Sequence, residues 1–393
     1  MFTFQFRMYP SKSQHEKLWK HANKLNSLYN YFLQQRITEY TQNKKKITKS
    51  EQQHELTVLK QNDSEIKQIH SQVLQEVTNR LDKSYKSFFN RVKKGRNKKT
   101  GKQDGFGFPK FRSCRKFFGI LYPQAAGFKI IDDNFKTGAY GKIKFIKHLD
   151  IKGQVKTAYI TCKDNKWYLS IVTDYIKPIN KTGKEIGIDL GVRDIVVTSE
   201  GKKFSNCSHP KYFDKQIENL QSLRDGKCKK GSRRFRYLSK VIGKLYDAKS
   251  RKIRDFQHKL SKQLSREFDT IYVEDLNVKR MTESKKTGLN KSMRNSCLNQ
   301  FVGYLGYKTN CVKVNPYNTS RTCNNCGKVH NIDLSVRIIF CTCGNIFDRD
   351  INAAKNVYCL GQAICHWIRT NGICIDMNIN FLWKPFISGS LYL

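Results

Sequence analysis

Two cysteine pairs lie in a short polar stretch of the C-terminal half of the chain. Cys323 and Cys326 are separated by two residues, whereas Cys341 and Cys343 are separated by one. Zinc prefers four soft ligands in a tetrahedron, and two pairs that each close a tight turn supply them. We therefore predict one structural zinc site formed by these four thiols. Four buried, reduced thiols are the alternative, but two pairs in a polar loop favour the metal.

Carboxylates form a second group of residues suited to chemistry. Asp189 ends the apolar run KEIGID, Glu274 ends DTIYVE, and Asp350 opens the helical segment after the cysteines. Carboxylates a few ångströms apart raise one another's pKa unless hard divalent cations neutralise them. Two magnesium ions in such a cluster would activate water and stabilise the leaving oxygen of a phosphodiester. We predict that Asp189 bridges both ions while Glu274 binds one and Asp350 the other.

Each acid also has a purely structural interpretation. Asp189 could cap a turn, Glu274 could pair with a lysine, and Asp350 could be a helix N-cap that accepts a backbone N–H. The metal site is favoured by chain order, since the acids end the first and fourth predicted strands and begin the last helix, residues 352–358. Three strands, helix, strand, helix, strand and helix is an order that can bring three carboxylates together.

The chain is strongly basic, and the basic residues are concentrated in one segment. It has 74 Lys and Arg against 32 Asp and Glu, a formal charge of +42. Between Lys227 and Arg266 apolar residues recur at helical spacing, which predicts a helix with one packed face and one basic face. Because solvated faces usually mix charges of both signs, we interpret the basic face as a phosphate-binding surface. Phe235 and Tyr237 are interpreted as core. The candidate nucleic-acid-binding residues are Lys229, Lys230, Arg233, Arg234, Arg236, Lys240, Arg251 and Arg254.

The N-terminal sequence and the hydropathy pattern bear on location. MFTFQFRMYP lacks the pattern of a signal peptide, and no apolar run approaches the roughly 20 residues that cross a membrane. We therefore expect a cytoplasmic or nucleoid-associated protein, nuclear if the host is eukaryotic, without a membrane partner. The cysteines outside the cluster are expected to be free thiols.

The periodicity of the first half predicts a β framework with a helical insert. FTFQFRMY alternates like a strand and is followed by a helical pattern over residues 13–40. Residues 41–66 are interpreted as a loosely packed helical hairpin, and an amphipathic helix is predicted from Ile69 to Phe89. Residues 93–105 are a basic linker, and short alternating segments then predict an antiparallel sheet or barrel.

Several segments of the chain together resemble one family. GIDLGVRD, VEDLNVKRM, NPYNTSRTCNNCG and CGNIFDRDINAAKNV, with FRMYPSKSQHEKLW and GFGFPKF nearer the N-terminus, are similar to the TnpB proteins of insertion-sequence transposons. This is the OrfB-type zinc-ribbon transposase family, which is related to the CRISPR type V effectors. The resemblance implies an α+β multidomain protein: an N-terminal wedge β-barrel with a helical insert, then an RNase H-like (RuvC) α/β domain with an inserted zinc ribbon.

The resemblance also assigns a domain to each part of the chain. The expected domains are a wedge barrel at 1–12 and 105–180, a helical recognition insert and linker at 13–104, a RuvC-like nuclease at 181–320 and 345–358, and a zinc ribbon at 321–344. Residues 359–393 match no part of the family and are treated as a tail without an assigned role.

The activity that the resemblance implies is RNA-guided cleavage of double-stranded DNA. Asp189, Glu274 and Asp350 take the three RuvC acid positions, with Asp348 as the alternative third acid, and the four cysteines take the ribbon positions. The expected cofactors are one structural Zn²⁺ and two catalytic Mg²⁺. The expected partners are a guide RNA derived from the transposon end and a double-stranded DNA target, bound by a monomer.

Two other functions remain open on the sequence alone. The segment near residues 308–311 is several residues shorter than is usual in the family, which is compatible with a nuclease-inactive, RNA-guided DNA-binding repressor. The same fold class also supports a transposase that breaks and joins transposon ends.

Overall fold

The structure is a computed structural model that describes residues 1–93, 107–176, 178, 182–207, 209–281, 287–333 and 336–370. Nearly all of the predicted basic linker, and the part of the predicted tail from residue 371 onward, lie outside these residues. The chain divides into two compact units, Met1–Ile176 and Lys177–Leu393. No helix in the described ranges is both long and apolar enough to cross a bilayer.

The first unit is built on a curled sheet of seven strands. The strands are β1 (Phe2–Tyr9), β2 (Ile120–Tyr122), β3 (Lys129–Ile131), β4 (Asn134–Thr137), β5 (Gly141–Ile146), β6 (Val155–Lys163) and β7 (Lys166–Thr173). Their order is β2-β6-β7-β1-β5-β4-β3, and every pair is antiparallel. Central strand β1 alternates as predicted and buries Phe4, Phe6 and Met8. Within the described residues β2 and β3 do not pair with each other, so the predicted barrel is an open half-barrel.

A group of helices lies between β1 and β2 in the chain, in the part of the sequence where helices were predicted. They are α1 (Lys12–Asn43), α2 (Lys49–Asn62), α3 (Ser64–Lys67) and α4 (Ser71–Lys93). Helix α1 begins with a capping box, because the backbone N–H of Ser11 donates to the Gln14 side chain and that of Gln14 donates to the Ser11 hydroxyl. Residues 41–66, predicted as a loose hairpin, contribute α2 and α3, which are anchored by the buried Leu56 and Ile66.

The second unit contains a five-stranded mixed sheet. Its strands are β8 (Glu185–Asp189), β9 (Asp194–Thr198), β10 (Lys203–Ser205), β11 (Thr270–Glu274) and β12 (Asn310–Val314), in the order β10-β9-β8-β11-β12. Strands β10, β9 and β8 pair antiparallel, whereas β8, β11 and β12 are parallel. Because parallel strands end at the same edge of a sheet, the ends of β8 and β11 place Asp189 and Glu274 on one side.

The helices of the second unit differ from the predicted ones in two places. They are α5 (His209–Lys227), α6 (Arg233–Glu267), α7 (Val278–Met281), α8 (Thr287–Ser296), α9 (Leu298–Gly306) and α10 (Arg349–Thr370). Helix α5 was not predicted, and α10 does not end at residue 358. Its continuation packs Ile364 and Cys365 against the cluster around buried Tyr272. A Cβ at Gly361 would lie 2.0 Å from the Tyr272 ring, so α10 crosses β11 at close range.

The short connection before β12 leaves the sheet intact. The backbone N–H of Lys308 donates to Leu305 at 2.9 Å, and that of Asn310 donates to the Asp269 carbonyl at 3.0 Å. Strand β12 then pairs with β11 in continuous register, so that Glu274 lies opposite Val314. Strand β11, which carries Glu274, is therefore paired with β12 along its whole length.

Candidate active site and cysteine cluster

The cysteines of the two pairs converge as predicted. The second pair lies between two short antiparallel strands, β13 (Ile338–Phe340) and β14 (Ile346–Asp348). All four Sγ atoms are within 4.8 Å of one another. The Sγ atoms are 3.9 Å apart for Cys323 and Cys343, and 3.5 Å apart for Cys326 and Cys341. Four thiols at these separations are a donor set that fits one tetrahedral zinc ion.

Each cysteine pair is closed by a glycine turn. Gly327 N–H donates to the Cys323 carbonyl at 2.9 Å, and Gly344 N–H donates to the Cys341 carbonyl at 3.0 Å. Both glycines have positive φ angles, 76° and 82°, which residues with a Cβ rarely adopt. The turn of the first pair joins residues four positions apart, Cys323 and Gly327, and the turn of the second pair, with one residue fewer, joins residues three positions apart, Cys341 and Gly344.

Hydrogen bonds within the cluster separate the pKa values of its thiols. Burial disfavours ionisation of Cys323, but backbone hydrogen bonds from Cys326 and Asn325 outweigh it and lower its pKa to about 6. A backbone hydrogen bond from Lys328 lowers the pKa of Cys326, yet its bonds to the other thiols raise it to about 12. Sequence reasoning also missed His330, whose Nε2 lies 3.3 Å from Cys341 Sγ. Such neighbouring polar groups orient metal ligands.

Asp189 is half-buried and Glu274 is buried. Burial, followed by the charges of Glu274 and Asp350, raises the pKa of Asp189 to about 8. Burial also raises the pKa of Glu274, against a hydrogen bond from the Thr319 hydroxyl that lowers it. The charges of Glu274 and Asp350 thus act on Asp189 in the same direction as its burial, and both effects disfavour its ionised form.

Asp348 and Asp350 have different surroundings. Asp348 Oδ1 accepts hydrogen bonds from the backbone N–H groups of Asp350 at 3.0 Å and Ile351 at 3.1 Å. Its other oxygen lies 2.6 Å from Lys203 Nζ, and these contacts hold its pKa low against the effect of burial. The helix-capping role considered for Asp350 is thus filled by Asp348, and the carboxylate whose charge reaches Asp189 is that of Asp350.

Two arginines contact the Asp350 carboxylate. Arg337 Nη1 lies 2.6 Å from Oδ2, and Arg349 Nε lies 3.3 Å from Oδ1. Arg337 directly precedes β13, so the hairpin that carries the second cysteine pair also places this guanidinium. Among the described His, Cys, Asp and Glu residues, the four cysteines are the only group of three or more whose ligand atoms all lie within 4.8 Å of one another. The carboxylate oxygens of the three acids are therefore farther apart than the thiol sulfurs. Sequence reasoning missed Arg337, because its only signal is a position before a short strand.

The predicted basic face of α6 is exposed. All eight candidate nucleic-acid-binding residues, from Lys229 to Arg254, are exposed, while Leu238, Ile242 and Leu260 are buried. The interpretation of Tyr237 as core is wrong, since 65% of it is exposed. It lies one residue, and so about 100°, from the buried stripe at Leu238. Phe235 is half-buried beneath the Arg224 guanidinium.

Family models match successive parts of the chain. "Helix-turn-helix domain" (HTH_OrfB_IS605) matches residues 1–45, "Probable transposase" (OrfB_IS605) matches 168–285, and "Cas12f1-like, TNB domain" matches 299–357. Within the first of these ranges the present structure contains β1 and the single long helix α1.

Individual proteins match over much of the chain. A "Putative RNA-guided DNA endonuclease" of Streptomyces pristinaespiralis is 25% identical over 389 residues, which cover 92% of this chain and 89% of that protein. TnpB-like protein L79 of Acanthamoeba polyphaga mimivirus is 32% identical over 200 residues, 47% of this chain and 38% of that protein. The solved Cas12f1-sgRNA-target DNA complex contains a chain of similar fold, with a TM-score of 0.52, 16% identity, and coverage of 88% of this chain and 82% of that one.

Proposed function

We propose that this chain, a relative of the TnpB proteins, is an RNA-guided DNA endonuclease that hydrolyses phosphodiesters at Asp189, Glu274 and Asp350. The observation that carries the proposal is the placement of the acids: Asp189 and Glu274 end the adjacent parallel strands β8 and β11, and Asp350 lies in the first turn of α10. Burial and the charges of the other two acids also raise the pKa of Asp189 to about 8. A buried group of like charges is unfavourable for folding and is therefore typical of a functional site.

The donor set of this acid group fits hard divalent cations. Carboxylate oxygens are the ligands that magnesium prefers, and the excess negative charge at the ends of β8 and β11 requires neutralisation. Two magnesium ions bound there would supply an activated water and stabilisation of the leaving oxygen. The strand order, with three antiparallel strands followed by two parallel ones, supports an RNase H-like nuclease domain.

The protein's own residues position the acids. The Thr319 hydroxyl donates to Glu274 Oε1 and fixes the orientation of that carboxylate. Arg337 and Arg349 neutralise Asp350 and hold it at the start of α10. Because Arg337 lies between the cysteine pairs, zinc binding by the cysteines would stabilise the hairpin that places its guanidinium.

The basic face of α6 supports a nucleic-acid partner. Exposed lysine and arginine side chains neutralise phosphates without reading sequence. In RNA-guided recognition, base pairing to the guide reads the target while the protein binds the shape of the duplex. A guide RNA and a DNA target are supported by the name "Putative RNA-guided DNA endonuclease" of the Streptomyces relative and by the Cas12f1-sgRNA-target DNA complex. We further propose that the guide derives from the transposon end and that the target is double-stranded.

A cleavage assay on the full chain tests the proposal. RNA that copurifies with the protein is sequenced, and duplex DNA matching it is incubated with the complex and magnesium. We expect cleavage that disappears in Glu274→Gln and persists in Asp275→Asn. Asp275 is the matched control because it adjoins Glu274 but is exposed and paired with Lys313 at 2.9 Å.

The same assay separates the alternatives. If matched DNA is bound but never cut, the protein is an RNA-guided DNA-binding protein and not an endonuclease. Joined DNA ends formed without RNA would instead identify a transposase. Cleavage that survives Glu274→Gln and Asp189→Ala would contradict the acid site itself.

A further inference from the structure

A cavity of about 550 Å³ lies on one face of the curled sheet in the first unit. Its floor is formed by alternate residues of neighbouring strands, including Thr3, Thr157 and Ser170. Side chains alternate between the faces of a strand, so this is the face opposite the one that buries Phe4. Two arginines, Arg80 and Arg112, contribute to its wall, and we refer to it as the Arg80–Arg112 cavity.

Arg80 extends from α4 over aromatic rings. Its guanidinium carbon is 4.5 Å from the centre of the Phe118 ring and 5.5 Å from that of Tyr159. Its Nε is 3.6 Å from Glu76 Oε1, which gives it partial neutralisation. Only 17% of the Arg80 side chain is exposed to solvent, so neighbouring residues fix the position of its guanidinium group.

Arg112 approaches the same phenylalanine and lacks a counter-charge. Its guanidinium carbon is 4.7 Å from the Phe118 ring centre and 4.9 Å from that of Tyr29. Throughout the described part of the chain, its guanidinium makes no ion pair or hydrogen bond. The backbone of Arg112 is fixed by Asn30 of α1, which accepts from its N–H at 2.7 Å and donates to its carbonyl at 2.9 Å.

The position of Tyr159 depends on a glycine. A Cβ at Gly119 would lie 2.1 Å from the Tyr159 hydroxyl, so this ring crosses the chain just before β2, where no side chain is present. Tyr159 also lines the cavity, next to the hydroxyls of Thr157 and Ser170. The cavity thus combines an aromatic ring, small hydroxyl groups and two positive charges, of which that of Arg80 lies near the Glu76 carboxylate.

We propose that the Arg80–Arg112 cavity binds one nucleotide of a nucleic-acid strand, with the phosphate on the two guanidinium groups and the base inside. Guanidinium groups bind phosphate through paired N–H donors, and the uncompensated charge of Arg112 favours such an anion. The base packs beside Tyr159, and the hydroxyls of Thr157 and Ser170 bond to its edge. The volume is within the range of roughly 300–1,000 Å³ typical of small-ligand sites.

Photocrosslinking of the full chain in the absence of magnesium tests this binding site. The probes are single-stranded RNA carrying 4-thiouridine, and single-stranded and duplex DNA carrying 4-thiothymidine, with crosslinked peptides identified by mass spectrometry. We expect a crosslink in the peptide that contains Tyr159. The probe that produces it identifies whether the bound strand is RNA or DNA.

Variants separate the cavity from general charge attraction. Arg112→Ala should reduce the Tyr159 crosslink and weaken binding about tenfold, with a salt dependence lower by about one phosphate contact. Arg115→Ala is the matched control, since Arg115 is exposed on the same segment but does not line the cavity. Ser170→Phe should block the crosslink by filling the cavity without any change of charge.

The outcomes are decisive in both directions. Loss of the Tyr159 crosslink in Arg112→Ala and Ser170→Phe, but not in Arg115→Ala, supports the proposal, provided the thermal unfolding midpoints are unchanged. If Arg112→Ala unfolds at lower temperature, Arg112→Lys replaces it, and the loss of paired donors should still reduce the crosslink. Crosslinks confined to peptides away from the cavity, or an equal loss in Arg115→Ala, would overturn it. Because binding is measured without cleavage, the result does not depend on the proposed endonuclease activity.

Discussion

The carboxylate of Asp348 accepts the backbone N–H of Asp350 at 3.0 Å, so one aspartate caps the helix that presents the other. Asp348 is further committed by its ion pair with Lys203. The negative charge of Asp350, in contrast, raises the pKa of Asp189, and its carboxylate forms ion pairs with Arg337 and Arg349. Two aspartates of a single Asp-Arg-Asp triplet thereby have different surroundings: one caps α10, and the other contacts two arginines and acts electrostatically on Asp189.

Substitution at these two positions should separate catalysis from stability. Asp350→Asn should abolish cleavage while leaving the unfolding midpoint and the bound RNA nearly unchanged. Asp348→Ala removes the N-cap of α10 and should reduce the free energy of unfolding by about 1 kcal/mol while part of the cleavage remains. Denaturant unfolding and a cleavage time course measure both effects, and the reverse pattern would assign the third acid to Asp348.

Magnesium should stabilise the protein more strongly at pH 8 than at pH 6. The pKa of Asp189 is raised from 3.8 to about 8 in the folded, metal-free protein, so the folded state binds more protons than the unfolded state between these values. Without metal, stability contributed by this group is therefore present at low pH and is lost as the pH rises toward 8. Magnesium competes with that proton, so its binding becomes more favourable over the same interval.

The measurement is the magnesium-induced shift of the thermal unfolding midpoint as a function of pH. Asp189→Asn removes the titrating group and should flatten this dependence. A shift of equal size at pH 6 and pH 8 in the unsubstituted protein would show that ion binding does not displace the Asp189 proton.

Loss of one clustered cysteine should remove one zinc ion per chain. In Cys323→Ser the remaining thiols cannot complete the tetrahedron, so the hairpin of β13 and β14 loses its main support and Arg337 its position. We expect slower cleavage together with retained RNA binding. Cys114→Ser, at an exposed cysteine of the first unit, is the control and should leave the zinc content unchanged.

Removal of Arg337 should slow cleavage without loss of zinc. This guanidinium lies 2.6 Å from Asp350, and its deletion leaves that carboxylate with Arg349 as its remaining arginine contact. We expect a decrease of at least about tenfold in the single-turnover rate of Arg337→Ala, a loss typical of a positioned charged donor. Lys328→Ala changes an exposed basic residue of the same segment, and an equal decrease there would point to general charge attraction instead.

The basic face of α6 should determine the salt dependence of nucleic-acid binding. Replacement of Arg251 and Arg254 by alanine removes two exposed charges and should lower the salt slope by about two phosphate contacts. Lys259→Ala is a suitable control, because Lys259 lies on the same helix but is paired with Asp255 at 2.8 Å. A salt slope unaffected by the double substitution would remove α6 from the phosphate-binding surface.

Local patterns in the sequence predicted much of the framework. The alternation of FTFQFRMY, the ends of β8 and β11 at the two acids, the helical stripe of α6 and the cysteine spacing are properties of a few neighbouring residues, and the structure agrees with each. Helix α5 was missed because its apolar residues form no clear stripe. The end of α10 was missed because its last turns are stabilised by Tyr272, a distant residue.

The chemical types of the ligands and their places at the ends of elements follow from the sequence, because residue identity and hydrophobic period are local. The sequence assigned the third acid to Asp350 with Asp348 as the alternative, but it did not show that Asp348 is the residue that caps α10, because that contact forms only where the helix starts. The same holds for the ion pair of Arg337 with Asp350 and for the meeting of Arg80 with Arg112 over Phe118. These contacts join residues that are distant in the chain, and no local sequence pattern relates them. Only tertiary packing brings them together.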